Sequence, residues 1–202
     1  MPLQFSPGVR NARLDAIETT TGTAPKLRIY TGTPPSDCTQ AATGTLLATL
    51  VLPSDWMAAA SAGSKAILNQ PWSGNAGTNG TAGYFRIWDS ALVTCHIQGT
   101  VYQLLQINTS ASSAQWSDQL TFTSTAGVAV NMLVSGTNVP AGAYVMAVTA
   151  TTVTLSIPIS AGAGVASGTQ ISFTGDLQLD NTNIANNQTI NVTTFTLTDG
   201  NG

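Results

Sequence analysis

The sequence predicts a mainly all-β protein: a β-sandwich-like domain with a short N-terminal helix and an inserted small β module. Three observations point there. Threonine occurs 31 times and glycine 19 times in 202 residues. Threonine is β-branched and suits a half-buried pleated surface, while glycine serves turns that need positive φ. Apolar and polar residues alternate over short runs, and clusters of Gly, Pro, Asn and Thr separate those runs.

Taken in order, "GVRNARLDAIETT" (8–20) has helical spacing, with Val9, Leu14 and Ile17 near one face and Arg10, Arg13 and Glu18 outward. "TGTAP" ends it. "KLRIYTG" (26–32) sets Leu27, Ile29 and Thr31 against Arg28 and Tyr30, the pattern of a half-buried strand. "TPPSDCTQAATG" is a loop, because Pro34-Pro35 forbids regular ladder bonding. "TLLATLVL" (45–52) is a more apolar strand. "PSDWMAAASAG" (53–63) reads as a single helical turn capped by Ser54. "SGNAGTNGTAG" (73–83) reads as a flexible loop leading into the strand "YFRIWDS" (84–90). Ser90-Ala91 is a turn into "LVTCHIQGTVYQL" (92–104). That hairpin places Phe85, Ile87, Val93, Cys95 and Ile97 inward, and Arg86, Trp88, His96 and Gln98 on the other face.

The character of the chain changes at residue 105. Between 105 and 174 Asp118 is the single charged residue, and short strands follow one another: "QLTFT", "VNMLVSG", "AYVMAVTA", "TVTLSIPI" and "TQISFTG". The centre of this stretch, "VSGTNVPAGAYVMAVTATTVTLS" (134–156), reads as a hairpin. Its turn is Val139-Pro140-Ala141-Gly142, and its core positions are Val145, Val148, Val153 and Leu155. From 175 the style of the first hundred residues returns. "DLQLDNTNI" alternates Leu177 and Leu179 against Asp176, Gln178 and Asp180. "QTINVTTFTLTDG" reads as one long final strand whose apolar phase slips between Val192 and Phe195. Across the gap, "CHIQGTV" and "GDLQLDNTNI" read as neighbouring strands. The expected domains are therefore residues 1–104 plus 175–202, and an inserted module of residues 105–174, since loop tips tolerate insertions. One continuous sandwich is the alternative.

Composition narrows the function. Only 7% of residues are charged, against roughly 25% in an ordinary soluble domain. The net charge is −3, with no basic patch to neutralise phosphates, so nucleic acid is not an expected partner. No apolar run approaches the ~18 residues of a membrane-spanning helix, so no membrane partner is expected. "MPLQFSPGVRNARLDAIE" lacks the basic-then-apolar layout of a signal peptide, so a chain made and kept in a cytoplasm is expected. Cys38 and Cys95 do not make a disulfide scaffold, and free buried thiols are the expectation. A chain this neutral, with 43% hydrophobic residues, suits an assembly component whose surface is covered by partners.

The search for chemistry returns no catalytic, cofactor or metal residues. His96 is the one histidine, and as a strand neighbour of Cys95 it points to the opposite face. Two cysteines and one histidine do not make a zinc site. Asp176, Asp180, Asn181 and Asn183 lack calcium-loop spacing and read as a solvated edge with an Asn-rich turn. "GTNGTAGYF" has no lysine and no following helix, so it is not a phosphate loop. Trp56, Trp72, Trp88 and Trp116 would stack on sugars if exposed, as in a lectin, whereas core packing is the commoner use of tryptophan. No enzyme is expected.

"ARLDAIE", "LRIYTGTPP", "GTLLATLVLPSDWM", "GTAGYFRIWDS" and the closing "GDLQLDNTNI…FTLTDG" resemble small structural proteins of tailed bacteriophages. The module's Gly-turn pattern resembles β modules attached to phage tail and head proteins. The resemblance implies a non-enzymatic virion protein, most like a capsid decoration (cement) protein. Such a protein is made in the host bacterial cytoplasm and sits on the capsid surface. There it bridges subunits of the major capsid protein, commonly as a homotrimer, and "MPLQFSPGVRN" would serve as an N-terminal arm. A tail, neck or fibre component and a carbohydrate-binding surface module are the alternatives.

Overall fold

The computed structural model describes residues 4–159, 162 and 164–199, and it is mostly β, with a sandwich-like arrangement of short sheets. The chain forms two compact units: Met1–Tyr102 with Leu177–Gly202, and Gln103–Asp176.

The first unit begins with α1 (Pro7–Thr21). The Ser6 side chain accepts a hydrogen bond from the Val9 N–H, and Pro7 sits in the first turn, where its missing N–H costs nothing. Gly22, at φ 84°, ends the helix, and its N–H donates to the Glu18 carbonyl at 2.9 Å. Leu14 is buried and Ile17 half-buried as the spacing predicts, but Val9 is exposed. Residues 7–11 are helical, and Phe5 lies under the Arg13 guanidinium. The segment read as an N-terminal arm is therefore helical from Pro7, with Phe5 against Arg13 of the same helix, and residues 1–3 lie outside the described part.

Six strands follow: β1 (Lys26–Thr31), β2 (Leu46–Val51), β3 (Ser64–Ala66), β4 (Trp72–Asn75), β5 (Gly80–Trp88) and β6 (Cys95–Gln103). After the second unit the chain returns as β13 (Leu177–Leu179), β14 (Asn183–Ile184), β15 (Thr189–Val192) and β16 (Thr196–Thr198). The main sheet runs β13-β6-β5-β1-β2, with β14 paired to the start of β5. The juxtaposition of "CHIQGTV" with the returning "DLQL" is thus present as the β6–β13 pair. Two short ladders, β15–β4 and β16–β3, complete the unit.

One face of the main sheet builds the core. Leu27 and Ile29 lie beside Ile87 and Phe85 across β1–β5, and Phe85 meets Phe195 edge-on at 5.7 Å. Phe195 in turn contacts Trp72, which packs on Trp56. These aromatic contacts link the sheet to the short ladders.

Several sequence expectations for this unit are corrected. Residues 53–63 form no helical turn; the strip runs extended, with bridges Met57↔Ile67 and Ser61↔Ser64. Most of 73–83 is strand, because β4 and the start of β5 find partners in β15 and β14. The final strand is broken: β15 and β16 pair different strands, which explains the phase slip at Phe195. In the β5–β6 hairpin Val93 is 77% exposed, not inward. The β5–β6 register steps from Ile87↔Ile97 to Trp88↔Cys95, a bulge at His96 that turns Cys95 toward the Arg86 face.

The second unit contains β7 (Leu105–Asn108), β8 (Gln119–Thr121), β9 (Leu133–Gly136), β10 (Val145–Val148), β11 (Thr152–Leu155) and β12 (Gln170–Thr174). They form two antiparallel sheets, β10-β11-β8 and β7-β12-β9. Phe122 and Phe173 meet between the sheets at 5.7 Å, among buried Leu120, Val134, Val145, Val153, Leu155 and Ile171. Single bridges, Thr109↔Phe122 and Leu133↔Tyr144, lace the two seams, so little edge is left open. A turn forms at Val139–Gly142, with Gly142 at φ 79°, but it links β9 of one sheet to β10 of the other, so the expected hairpin is corrected to β10–β11, and Val148 is half-buried rather than core. The next turn is closed by threonine chemistry: the Thr149 and Thr152 hydroxyls lie 2.6 Å apart, and Thr149 Oγ1 accepts from the Thr152 N–H at 2.9 Å.

Trp72→Ala should lower the unfolding free energy by about 3–5 kcal/mol in urea titrations, since the ring fills the junction of sheet and ladders. Trp116→Ala, at a site 68% exposed, should stay within about 0.5 kcal/mol of wild type.

Candidate functional site

Two clusters of charged and polar side chains organise the first unit. The first ties α1 to its neighbours. Asp15 and Glu18 sit one turn apart and project to the same side. The Lys65 ammonium, on β3, reaches Asp15 Oδ1 at 2.7 Å and Glu18 Oε2 at 2.8 Å, and donates to the Ala58 carbonyl at 2.9 Å. The Lys65 side chain is 1% exposed. The same carboxylates accept from the backbone: Ala60 N–H to Asp15 at 3.0 Å, and Met57 N–H to Glu18 at 3.1 Å. Asn11 accepts from the Gly63 N–H at 2.9 Å. Helix side chains thus take the N–H groups that a 53–63 helix would have used, which is why that helix does not form. Gly63 has φ 77°, and a Cβ there would collide with the Arg10 guanidinium.

The second cluster lies on the sheet face opposite the aromatic core. Arg86, in mid-β5, is fully buried. Its Nη1 donates to the Gln40 carbonyl at 2.9 Å, its Nη2 to the Cys38 carbonyl at 2.6 Å, and its Nε to Cys95 Sγ at 3.1 Å. Its guanidinium stacks over Trp88, 4.8 Å from the ring centroid. Gln98, opposite Arg86 on β6, donates to the Pro35 carbonyl at 2.7 Å. Tyr84 stacks on Tyr30 and bonds to the Thr43 backbone. The proline-rich loop of residues 33–45 is thereby held over a polar sheet face. Burial, together with the Cys38 thiol, pushes the Cys95 thiol up to about 12, although Arg86 pulls it the other way. Cys38 and Cys95 are both free thiols.

The residues weighed for chemistry separate. Cys95, not His96, meets Arg86; His96 lines a groove of 260 Å³ with Arg13, Ala16, Ile17, Thr20 and Thr21 of α1. Among the described residues no three His, Cys, Asp or Glu side chains gather into a metal cluster. Asn181 folds the 180–183 turn on itself, accepting from the Asn183 N–H and donating to its carbonyl, each at 2.9 Å. Of the four tryptophans, Trp56 and Trp72 are core and Trp88 is half-buried beneath Arg86. Only Trp116 is well exposed, so the four do not form a sugar-stacking platform. Sequence reasoning misses the Arg86 cluster because an alternating strand places an arginine outward, and nothing local announces the loop that covers it.

The second unit carries a different feature. Leu133 (49% exposed) and Tyr144 (40%) face each other across a seam bridge, and Met146 (53%), the extra residue of a bulge between Val145 and Ala147, is exposed two positions on. Ile157 is also exposed, next to Ser156, whose hydroxyl accepts from the Tyr144 N–H at 3.0 Å. These side chains form an apolar patch in a stretch of chain almost free of charge.

No family model, curated protein or solved structure matches this chain. No helix among the described residues is long and apolar enough to cross a membrane.

Removing both counter-charges, as in Asp15→Asn/Glu18→Gln, should lower stability at pH 7 by chemical denaturation, because the enclosed Lys65 ammonium is left unpaired. Hydrogen bonding to Lys65 and to the Ala60 N–H holds the Asp15 carboxyl below its ordinary 3.8. Its stabilising contribution is therefore complete above that value and lost as pH falls through the lower folded-state pKa. Burial opposes the Lys65 charge, yet its bonds to Asp15 and Glu18 outweigh that and hold the ammonium above 10.5. Its contribution is full below 10.5 and is lost as pH rises through the higher folded value. The double variant should show a flatter acid limb than wild type.

Proposed function

We propose that the chain is a non-enzymatic structural protein of a tailed-phage virion, which decorates the capsid exterior and bridges subunits of the major capsid protein. The observation that carries the reading is the Leu133–Tyr144–Met146 patch. An exposed apolar face in a region with almost no charge is a surface that a partner covers. Tyrosine there offers wide contact area and a hydroxyl at low conformational cost. The resemblance of the first unit's segments to phage structural proteins, and the low charge of the whole chain, support the same reading. Many modest contacts repeated by capsid symmetry give avidity without one tight site. Self-association, as a trimer, would multiply those contacts further.

The test is re-binding. Phage heads stripped of this protein should take it back at a fixed stoichiometry, read by gel densitometry and cryo-EM. Labelled protein that ignored heads and bound tails would replace the capsid reading with a tail one. Tyr144→Asp/Met146→Asp should weaken head binding by about tenfold or more, because charges are buried against an apolar partner. Its thermal unfolding should match wild type. A chain lacking residues 105–174 should lose the same binding; undiminished binding would move the contact to the first unit.

A further inference from the structure

We propose that Cys38 and Cys95 form a redox-closable clamp: a low-molecular-weight disulfide converts them into an intramolecular disulfide that fastens the 33–45 loop to the main sheet. One side chain aligns both partners. The Arg86 guanidinium holds the backbone of Cys38 through Nη2 at 2.6 Å and the sulfur of Cys95 through Nε at 3.1 Å. The Cys38 thiol also lies close enough to Cys95 to push its thiol up. The bulge at His96 brings Cys95 to this face; in a regular ladder the face would carry His96 instead.

The two thiols are unequal in a way that sets the order of steps. Cys38 is half-buried in the loop, whereas Cys95 is buried at the start of β6. Cys38 is therefore the group that meets an oxidant in solution. Its thiolate attacks one sulfur of RSSR, forming Cys38–S–SR and releasing RS⁻, which takes up the proton that Cys38 lost. Cys95 then attacks Cys38 Sγ, with Arg86 Nε beside the developing thiolate, and expels the second RS⁻. That thiolate takes the Cys95 proton. The balance is two protein thiols plus RSSR giving one protein disulfide plus two RSH: the cysteines are oxidised and the small disulfide is reduced.

The loop is otherwise held by hydrogen bonds, at Cys38, Gln40, Pro35, Thr43 and Thr45. A covalent tie between residues so far apart in sequence restricts the unfolded chain as well. The clamp does not depend on the capsid reading.

The experiment exposes the full chain to oxidised glutathione, then alkylates it and measures intact mass and peptide maps. Both thiols should disappear together, with a linked Cys38–Cys95 peptide, no chain dimer, and recovery of both thiols on reduction. Cleavage within 33–45 by a protease should slow about tenfold after oxidation, since local opening is restricted. Cys95→Ser should trap glutathione on Cys38, and Cys38→Ser should leave Cys95 unmodified. A glutathione adduct persisting on wild-type Cys38, a disulfide between two chains, or two thiols still open to alkylation would each overturn the proposal.

Discussion

A buried guanidinium cannot be left without acceptors, and that requirement shapes one whole side of the first unit. Arg86 sits in the middle of β5, where an apolar residue would be the cheaper choice. Its donors are satisfied by two carbonyls of an otherwise irregular loop and by a sulfur, while a tryptophan ring covers its face. The loop therefore has a defined path despite its two prolines. That path brings Cys38 to Cys95 and sets Gln98 against Pro35. Arginine suits the task where lysine would not, because its planar fork spreads fixed donors over three partners.

The Lys65 cluster solves the same problem with carboxylates as acceptors where Arg86 has neutral carbonyls and a sulfur. Here the cation is enclosed, and its carboxylates keep one side toward water. Both clusters use side chains to satisfy backbone groups in segments without regular pairing. A protein with few charges has placed several of them inside, where each fixes a loop or a helix, and has left Leu133, Tyr144 and Met146 exposed on its second unit.

Much of the architecture is legible because burial on one face writes itself into alternation. Leu27, Ile29, Phe85, Ile87, Leu177 and Leu179 are all buried where the period of two puts them. The helix follows from Leu14 and Ile17, and its end from Gly22. What alternation does not encode is pairing between distant segments. "SGNAGTNGTAG" has the composition of a loop because its strands are supplied with partners from 183–192. "PSDWMAAASAG" has the composition of a helix, but the side chains that claim its backbone lie on α1. Cys95 is misplaced by a one-residue bulge, since a single inserted residue inverts every face beyond it, and Val93 lies in the turn before β6, where the Asp89 carboxylate accepts from its N–H. The candidate site is less legible than the fold. Neither Arg86 nor the Leu133–Tyr144–Met146 patch carries a local motif, and both emerge only from contacts made across the sheets.

The division of the first unit across the second has a consequence for synthesis. Translation delivers β1 to β6, then the whole of β7 to β12, and only afterwards β13 to β16. The second unit therefore has all its strands while the first still lacks the partners of β3, β4 and β6. In that interval Trp72 and Phe85 await the segment bearing Phe195. A nascent chain on the ribosome would thus finish its middle before its beginning. A slow-folding middle would prolong the time in which the earlier strands are open to misassembly with neighbouring nascent chains.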